Sequence, residues 1–310
     1  MMKKLCLFVI AVLLFTLSGC VENNSEKKID LSQKAGTKNT AEQSAGKPLR
    51  IAVGGMITPR EGFVYYKEFL DYTGEKLGRK VEFVDREDYG EINELIREGD
   101  IDAAFVCGGP YVDGHKEFGL ELIAAPVAYG ETVYYSYIIV HVNNPARTFE
   151  ELRGKTFAFT DPLSNSGKLV PTYMLAKMNE APETFFRSFY YTHGHDKSIK
   201  AVATGAVDGA AVDSLIWEYA NRKHPEFTSK TKIIQKSSRY GIPPFVTRPG
   251  LNPKTKEALR QVFLNAHNDV EGREILKGML IERFVPIEDS SYDSIREMKH
   301  WVAKQKHAKK

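Results

Sequence analysis

The sequence predicts an α/β protein of two lobes joined by two crossing strands. Short apolar runs alternate with amphipathic stretches in residues 49–118, and the same alternation starts again after residue 145. Such alternation is typical of parallel strands with crossover helices. Residues 48–310 are also long enough to build two hydrophobic cores. Two lobes of this kind enclose a cleft and close on a ligand by hinge motion.

The first lobe begins with the apolar run 49–54, which we expect to be a strand. Its other predicted strands are 81–84 and 101–106, and its predicted helices are 63–77, 89–98 and 111–118. Two apolar runs follow, 120–128 and 132–142, of which the second is long and rich in Tyr and Ile. We expect this second run to cross to the other lobe.

In the second lobe, the predicted strands are 155–159, 189–192 and 207–212, and the predicted helices are 149–152, 168–178, 197–204 and 214–222. We expect residues 231–235 to return to the first lobe, followed by helices 253–267 and 292–304. Lobe 1 is therefore predicted to comprise residues 48–141 and 240–310, and lobe 2 residues 142–239. The alternative is one elongated α/β enzyme domain.

The N-terminus has the layout of a cleavable export signal, with Lys3 and Lys4 before an apolar stretch and small residues before Cys20. This stretch resembles a bacterial lipobox, which implies a signal peptide at 1–19 and a lipid on Cys20. An uncleaved anchor is the alternative, although the stretch is short for a membrane span. Polar residues 21–47 are predicted to form a flexible tether behind the lipidated cysteine. We expect an extracytoplasmic protein, lipid-anchored to a bacterial membrane.

Charge and cysteine content exclude other classes of protein. The net charge of +3 falls to about +1 once the two lysines of the signal peptide are removed, which argues against nucleic acid as a partner. Of the three cysteines, only Cys107 would remain as a free thiol, so no intramolecular disulfide is expected and Cys107 is predicted to be buried. We expect a monomer.

The segment 161–168 places Ser164, Asn165 and Ser166 at the predicted start of a helix. Helix starts bind oxyanions because their backbone N–H groups lack intrahelical partners and carry partial positive charge. The alternative is that Ser166 only caps its own helix. Pro171 limits the register, since a proline beyond the first turn breaks a helix.

His195 lies at a second predicted helix start, where its imidazole could donate to the same oxyanion and Asp196 suits the helix dipole. A structural histidine bonded to backbone is one alternative. Zinc bound by His193, His195 and Asp196 is another, but no further ligand cluster accompanies them, so no metal is predicted. The chain also lacks the nucleophile elbow, Walker loop, dinucleotide fingerprint and zinc-protease motifs. We therefore expect neither an enzyme nor a cofactor.

Four segments together resemble the phosphonate, phosphite and phosphate binding proteins of ABC importers. They are Asp-Tyr-Gly-Glu-Ile around Tyr89, Tyr-Tyr-Ser-Tyr-Ile-Ile-Val around Tyr134, Asp-Pro-Leu-Ser-Asn-Ser-Gly-Lys-Leu-Val-Pro from residue 161, and Gly-His-Asp-Lys-Ser-Ile-Lys-Ala-Val around His195 followed by Val-Asp-Gly-Ala-Ala-Val. The resemblance implies a type II periplasmic-binding-protein (Venus-flytrap) fold and delivery of a phosphorus oxyanion to a permease. It implies ligand contacts from Tyr89, Tyr134, Ser164, Asn165, Ser166 and His195. A sensor for a signalling partner is the alternative function.

The chain departs from the family pattern at three positions. Asn165 stands where Thr is common, so an amide replaces a hydroxyl. Leu215 and Pro243 align with carboxylates that hold the ammonium group of aminoalkylphosphonates, and neither can pair with a cation. Asp213 could substitute for them. The resemblance therefore implies phosphate, phosphite or a small phosphonate rather than an amine-bearing ligand.

Overall fold

The computed structural model describes residues 47–54 and 60–308. The predicted signal peptide, Cys20 and nearly all of the tether lie outside the described residues. Within the described ranges, no helix is both long and apolar enough to cross a bilayer.

The strands are β1 (Leu49–Gly54), β2 (Val81–Arg86), β3 (Ala103–Phe105), β4 (Glu121–Val127), β5 (Val133–Tyr134), β6 (Ser136–His141), β7 (Thr156–Phe159), β8 (Ser188–Tyr191), β9 (Gly209–Asp213), β10 (Thr231–Lys236), β11 (Tyr240–Gly241), β12 (Phe245–Thr247) and β13 (Arg283–Val285). The α-helices are α1 (Arg60–Leu77), α2 (Tyr89–Glu98), α3 (Gly108–Phe118), α4 (Val170–Lys177), α5 (Pro182–Phe185), α6 (His195–Ala203), α7 (Ser214–Lys223), α8 (Pro225–Thr228), α9 (Pro253–Asn265), α10 (Val270–Gly278) and α11 (Asp293–Ala308). A π-helical turn, Asn165–Leu169, precedes α4.

The first large sheet has six strands in the order β13-β4-β12-β3-β1-β2. Strand β1 pairs in parallel with β2 and β3, as the alternation with helices predicts. Both faces of β1 are covered, so Ile51, Ala52 and Val53 are fully buried, as expected for an apolar strand between layers of helices. Beyond β3, strand β12 pairs antiparallel with β3 and with β4, and β4 pairs antiparallel with β13.

The second large sheet has five strands in the order β10-β6-β9-β7-β8. Strand β7 pairs in parallel with β8 and β9, whereas β6 runs antiparallel to β9 and β10. Its core is rich in aromatic residues, with the Phe157 and Phe186 rings stacked at 4.4 Å between centroids. Each large sheet therefore has its own hydrophobic core, and the prediction of a two-lobed α/β fold is confirmed.

The crossing between the sheets is the two-stranded pair of β5 and β11. The chain leaves the six-stranded sheet after β4, passes through β5 and enters the five-stranded sheet as β6. It returns from β10 through β11 to β12. The two predicted hinge-crossing strands are thus β5 and β11, which pair Tyr134 with Tyr240.

The predicted strand 132–142 is interrupted at Tyr135, and its two parts belong to different sheets. The part that forms β6 pairs within the five-stranded sheet, although the predicted division gives residues up to 141 to lobe 1. Strand β10 also belongs to the five-stranded sheet, so the return to the first sheet occurs after it, at β11. The predicted helix 149–152 is a single 3-10 turn, Glu150–Leu152.

Candidate functional site

The π-helical turn is closed by Ser164, whose Oγ accepts a hydrogen bond from the Gly167 N–H at 3.0 Å. Helix α4 follows with Pro171 in its first turn, where the missing N–H costs no intrahelical bond. The alternative role for Ser166 as the helix cap is therefore wrong, because Ser164 takes it. The hydroxyl of Ser166 remains available for another partner.

Gly167 is required by close packing of this turn against the end of β7. A Cβ atom at Gly167 would lie 2.5 Å from Thr160 Oγ1, closer than nonbonded atoms approach. Thr160 Oγ1 in turn lies 3.1 Å from His195 Nδ1. Thr160 thus joins the turn to the start of α6, so the two segments predicted to bind an oxyanion lie next to each other.

Ser166 and Asn165 are fully buried, yet each carries a polar side-chain atom without a partner among the described residues. These atoms are Ser166 Oγ and Asn165 Oδ1. The turn is held in place by the Ser136 hydroxyl, which donates to the Ser166 carbonyl at 2.7 Å. Buried polar atoms almost always have partners, so unpaired atoms at one place indicate a binding site.

His195 is fully buried at the first position of α6. Its Nδ1 accepts the backbone N–H of Asp213 at 3.0 Å, which places the proton of the neutral ring on Nε2. Burial lowers the pKa of His195 to about 3. Nε2 has no partner within the described part of the chain, so it is a neutral donor that a ligand could use. Nδ1 therefore has the structural role that the alternative interpretation gives to His195, whereas Nε2 is available to a ligand.

Tyr89 is placed by the start of α2, where Asp88 caps the helix by accepting the Glu91 N–H at 2.8 Å. The backbone N–H of Tyr89 donates to Asp161 Oδ2 at 3.4 Å, which connects α2 to the loop before the π-helical turn. Burial raises the pKa of the Tyr89 phenol well above its usual value, and the nearby Ser164 hydroxyl offsets part of this rise. No described residue forms a hydrogen bond of ordinary geometry with the Tyr89 hydroxyl.

Tyr134 is fully buried on the crossing strand β5. Its hydroxyl accepts a hydrogen bond from Asn165 Nδ2 at 3.0 Å, so the amide that replaces the family's usual hydroxyl contacts the predicted tyrosine directly. Burial raises the pKa of Tyr134 well above its usual value, which keeps the phenol protonated and able to donate.

Cys107 also belongs to this cluster, although the sequence predicted only that it is buried. It precedes α3, and its Sγ accepts the backbone N–H groups of Asn165 and Gly109 while lying 3.8 Å from the Tyr134 hydroxyl. Burial raises the pKa of the Cys107 thiol. Only its position directly after the apolar run 101–106 could have suggested that it lies at the end of a central strand.

Asp213 ends β9 and caps α7, where its Oδ1 accepts the Leu215 N–H at 2.7 Å. Burial raises the pKa of its carboxyl to about 7, and the backbone N–H groups of Leu215 and Ile216 oppose that rise. Tyr66 of α1 lies near enough that Asp213 contributes to raising its pKa. Asp213 thus faces residues of the first sheet from the second.

His193 and His195, the two histidines of the zinc site considered as an alternative, do not belong to one cluster of metal ligands. The described residues contain one group of three metal-ligating side chains whose ligand atoms all lie within 4.8 Å of one another, and it consists of Asp88, Asp161 and His193. His195 is not part of it. Asp161 already accepts the N–H groups of Leu163 and Tyr89. We assign no metal to this group.

The predicted tyrosine, serine, asparagine and histidine side chains therefore form one buried cluster of neutral polar groups. Among the described residues, four polar atoms of this cluster lack a partner: the donors Tyr89 Oη, Ser166 Oγ and His195 Nε2, and the acceptor Asn165 Oδ1. A buried polar group without a hydrogen bond destabilises the folded protein by about 1–3 kcal/mol. A ligand that forms hydrogen bonds with this cluster would therefore remove a large destabilising contribution. Hydroxyl and imidazole donors suit a small oxyanion, because hydrogen bonds to a charged acceptor are stronger than neutral ones.

Proteins of known function resemble this chain along most of its length. The phosphonates-binding periplasmic protein of Escherichia coli (strain K12) is 30% identical over 215 residues, which cover 67% of this chain and 63% of that protein. The phosphate-import protein PhnD of Mycolicibacterium smegmatis is 28% identical over 254 residues, covering 74% and 78% of the two chains.

Solved structures show the same fold. A binding protein component of an ABC phosphonate transporter from Pseudomonas aeruginosa superposes with a TM-score of 0.80 at 24% identity, covering 86% of this chain and 90% of that one. PhnD1 of Prochlorococcus marinus in complex with methylphosphonate gives a TM-score of 0.76 at 20% identity, covering 83% and 99%. The family model described as "ABC transporter, phosphonate, periplasmic substrate-binding protein" matches residues 56–292. The chain therefore belongs to the family of periplasmic substrate-binding proteins of phosphonate ABC transporters.

Proposed function

We propose that this protein captures a phosphorus oxyanion, namely phosphate, phosphite or a small phosphonate, and delivers it to the transmembrane subunits of an ABC importer. The observation that carries the proposal is the set of three buried donors that have no partner among the described residues, Tyr89 Oη, Ser166 Oγ and His195 Nε2. They come from both lobes and the two helix starts, so closure of the cleft would surround one anion. The phosphonate family to which the chain belongs, and its phosphonate-binding and phosphate-import relatives, agree with this ligand class.

The selectivity for one anion over another follows from the neutral charge of the donor side chains. A neutral donor loses its hydrogen bond when a ligand lacks a matching acceptor, and in a buried site that loss costs about 1–3 kcal/mol. Tyr89 and Tyr134 stay protonated because burial raises their pKa, and His195 stays neutral because burial lowers its pKa. These three side chains therefore keep the same protonation state over the physiological pH range.

We further propose that the mature protein is a lipid-anchored monomer outside the cytoplasm that binds its ligand without catalysis. The lipobox-like segment ending at Cys20 supports the anchor, and the polar tether after it would let the domain reach a membrane partner. The sensor alternative receives no support from the family match, which describes transport proteins.

The first test is calorimetric titration of the purified protein with phosphate, phosphite, methylphosphonate and 2-aminoethylphosphonate. At least one of them should bind and, at 100 times its dissociation constant, stabilise the folded state by about 2.7 kcal/mol. Sulfate serves as the oxyanion control. The absence of binding by all four phosphorus compounds would contradict the proposed function.

Ser166→Ala provides the matched variant for this titration. Removing a hydrogen bond to a charged ligand should weaken binding by about 1.5–3 kcal/mol, because Ser166 Oγ has no competing partner among the described residues. Ser229→Ala, at an exposed position, is the control. Unchanged affinity in the Ser166 variant would remove that hydroxyl from the site.

A further inference from the structure

Asn165 differs from the other residues of the site, because its unpartnered atom accepts hydrogen bonds instead of donating them. Tyr89 Oη, Ser166 Oγ and His195 Nε2 can each donate a proton, whereas Asn165 Oδ1 can only accept one. Asn165 is fully buried, so solvent cannot supply the missing donor. A deprotonated oxyanion cannot supply it either, since all of its oxygens are acceptors. The oxygen of Asn165 is therefore satisfied only by a ligand that itself carries a donor.

The orientation of the Asn165 amide is set by its neighbours. Its Nδ2 donates to the Tyr134 hydroxyl oxygen at 3.0 Å, and its backbone N–H donates to Cys107 Sγ. The Tyr134 hydroxyl has a single proton, which it can give to the anion or to Cys107 Sγ at 3.8 Å. Tyr134 Oη is therefore the acceptor toward Asn165. This hydrogen bond uses Nδ2 and leaves Oδ1 to the ligand.

The charged side chains around the turn favour a ligand of low negative charge. Lys168, the basic residue of the π-helical turn, lies over the Phe159 ring with its Nζ 3.9 Å from the ring centroid. Asp213, whose backbone N–H holds His195, is acidic. An additional negative charge on the ligand is therefore buried among neutral donors and near an acid, which is unfavourable. A proton on one oxygen of the ligand lowers this charge and provides the donor for Asn165 Oδ1.

We propose that Asn165 selects the protonated form of the ligand: its side-chain oxygen accepts a hydrogen bond from a P–OH group, while Tyr89, Ser166 and His195 donate to the other oxygens. The inference rests on the proposed function, because it assumes that these donors hold a phosphorus oxyanion. It adds a means of distinguishing oxyanions of similar shape. Hydrogen phosphonates, hydrogen phosphite and hydrogen phosphate carry the required proton, whereas sulfate and sulfonates carry none at neutral pH.

Methylphosphonate and methanesulfonate are a matched pair of probes for this inference. In mildly acidic buffer each has a methyl group, three tetrahedrally arranged oxygens and one negative charge, and only methylphosphonate carries a proton on oxygen. Asp213 and the other charged groups of the protein act equally on both ligands, so a difference in affinity reports on the proton. Calorimetric titration of the wild type should show that methylphosphonate binds about a hundredfold or more tightly than methanesulfonate. Equal affinities would overturn the inference.

The variant Asn165→Thr tests whether Asn165 is the residue that recognises the proton. A threonine hydroxyl can donate to a sulfonate oxygen, so methanesulfonate should bind the variant about tenfold or more tightly than it binds the wild type. A merely structural defect would weaken both ligands and could not produce this gain. Asn165→Ser supplies the same hydroxyl in a smaller side chain if the first variant does not fold. Asn143→Thr, at an exposed position after β6, is the control and should keep the wild-type affinities.

Three results would contradict parts of this account in different ways. Methanesulfonate affinity that does not rise in a folded Asn165 variant would mean that another group accepts the ligand's proton. Methanesulfonate that binds the wild type as tightly as methylphosphonate, or more tightly, would mean that Asn165 turns Nδ2 toward the anion. Both results overturn the inference and leave the proposed function intact. Failure of the wild-type protein to bind any phosphorus compound would instead refute the proposed function.

Discussion

His195 and Asp213 are both buried, and their titration affects stability in opposite directions. Burial lowers the pKa of His195 from 6.5 to about 3 and raises that of Asp213 from 3.8 to about 7. As the pH falls from 6.5 to 3, the unfolded chain gains a proton at His195 that the folded chain does not accept, so the free energy of unfolding decreases. As the pH falls from 7 to 3.8, the folded chain gains the proton at Asp213 first, so the free energy of unfolding increases.

The variant His195→Asn separates the two effects because it removes the titration of His195 and retains that of Asp213. Relative to the wild type, its free energy of unfolding should rise as the pH is lowered from 6.5 to 4, by at most about 1.4 kcal/mol per pH unit. Denaturant unfolding at several pH values measures this difference. His300→Asn, at an exposed position of α11, is the control variant. A parallel curve for the His195 variant would show that His195 is not held neutral by burial.

At the residue scale, the sequence could predict which side chains gather at the site but not how they pair. The two helix starts and their Ser, Asn and His residues are local features, visible in short segments. The capping of the turn by Ser164 rather than Ser166 depends on its π-helical register, which places Gly167 against Thr160. The contribution of Cys107 depends on contacts between distant segments, to which a local pattern is insensitive.

The start of α3 and the π-helical turn approach each other so closely that only glycine fits between them. A Cβ atom at Gly109 would lie 2.3 Å from the Leu163 carbonyl oxygen. Gly109 belongs to the lobe of the six-stranded sheet, and Leu163 precedes the turn in the other lobe. This contact therefore limits how far the two lobes can close around the site.

Gly109→Ala should prevent full closure and weaken oxyanion binding at least tenfold, because the added methyl group cannot be accommodated without separating these elements. Alanine favours helix more than glycine does, so the free energy of unfolding should not fall. Calorimetric titration and denaturant unfolding measure the two quantities. Lys116→Ala, exposed on the same helix, is the control. Wild-type affinity in Gly109→Ala would mean that binding does not need this contact.

At the element scale, the sequence could predict long periodic segments. It could not predict short segments or runs that pass from one sheet to another. The prediction of helix 89–98 matches α2, since Asp88 and Gly99 supply a strong start and stop. The run 132–142 is mainly apolar and aromatic, and the polar residue Ser136 is too weak a local signal to mark the change of sheet at Tyr135. That change is set by different partners, because β5 pairs with β11 and β6 pairs with β9 and β10.

At the scale of the whole molecule, alternation predicted two α/β lobes but not the mixed character of both sheets. The parallel strands β1–β3 and β7–β9 are the ones joined by helices in sequence. Strands β4, β6, β10 and β12 flank the two crossings, and all four make antiparallel pairs. A strand that enters from the other lobe need not follow the direction that crossover helices impose.

A third connection between the lobes is the C-terminal helix α11. Lys299 of α11 pairs with Asp113 of α3 at 2.8 Å, which attaches the helix to the six-stranded-sheet lobe. Trp301, two residues further along the same helix, packs edge-to-face on Tyr173 of α4 at 5.1 Å between ring centroids. Because α11 contacts both lobes, hinge motion about β5 and β11 would change at least one of these two contacts.

The chain has two tryptophans, and their positions give hinge closure a specific signal. Trp217 contacts Tyr137 and donates to Thr231 Oγ1 at 3.1 Å, all within the lobe of the five-stranded sheet, whereas Trp301 contacts Tyr173 across the lobes. A Trp217→Phe variant should therefore change its tryptophan fluorescence when the bound phosphonate closes the cleft. The matched Trp301→Phe variant should change little, because its remaining tryptophan stays within one lobe. A response carried by Trp217 alone would mean that binding rearranges the second lobe internally rather than closing the cleft.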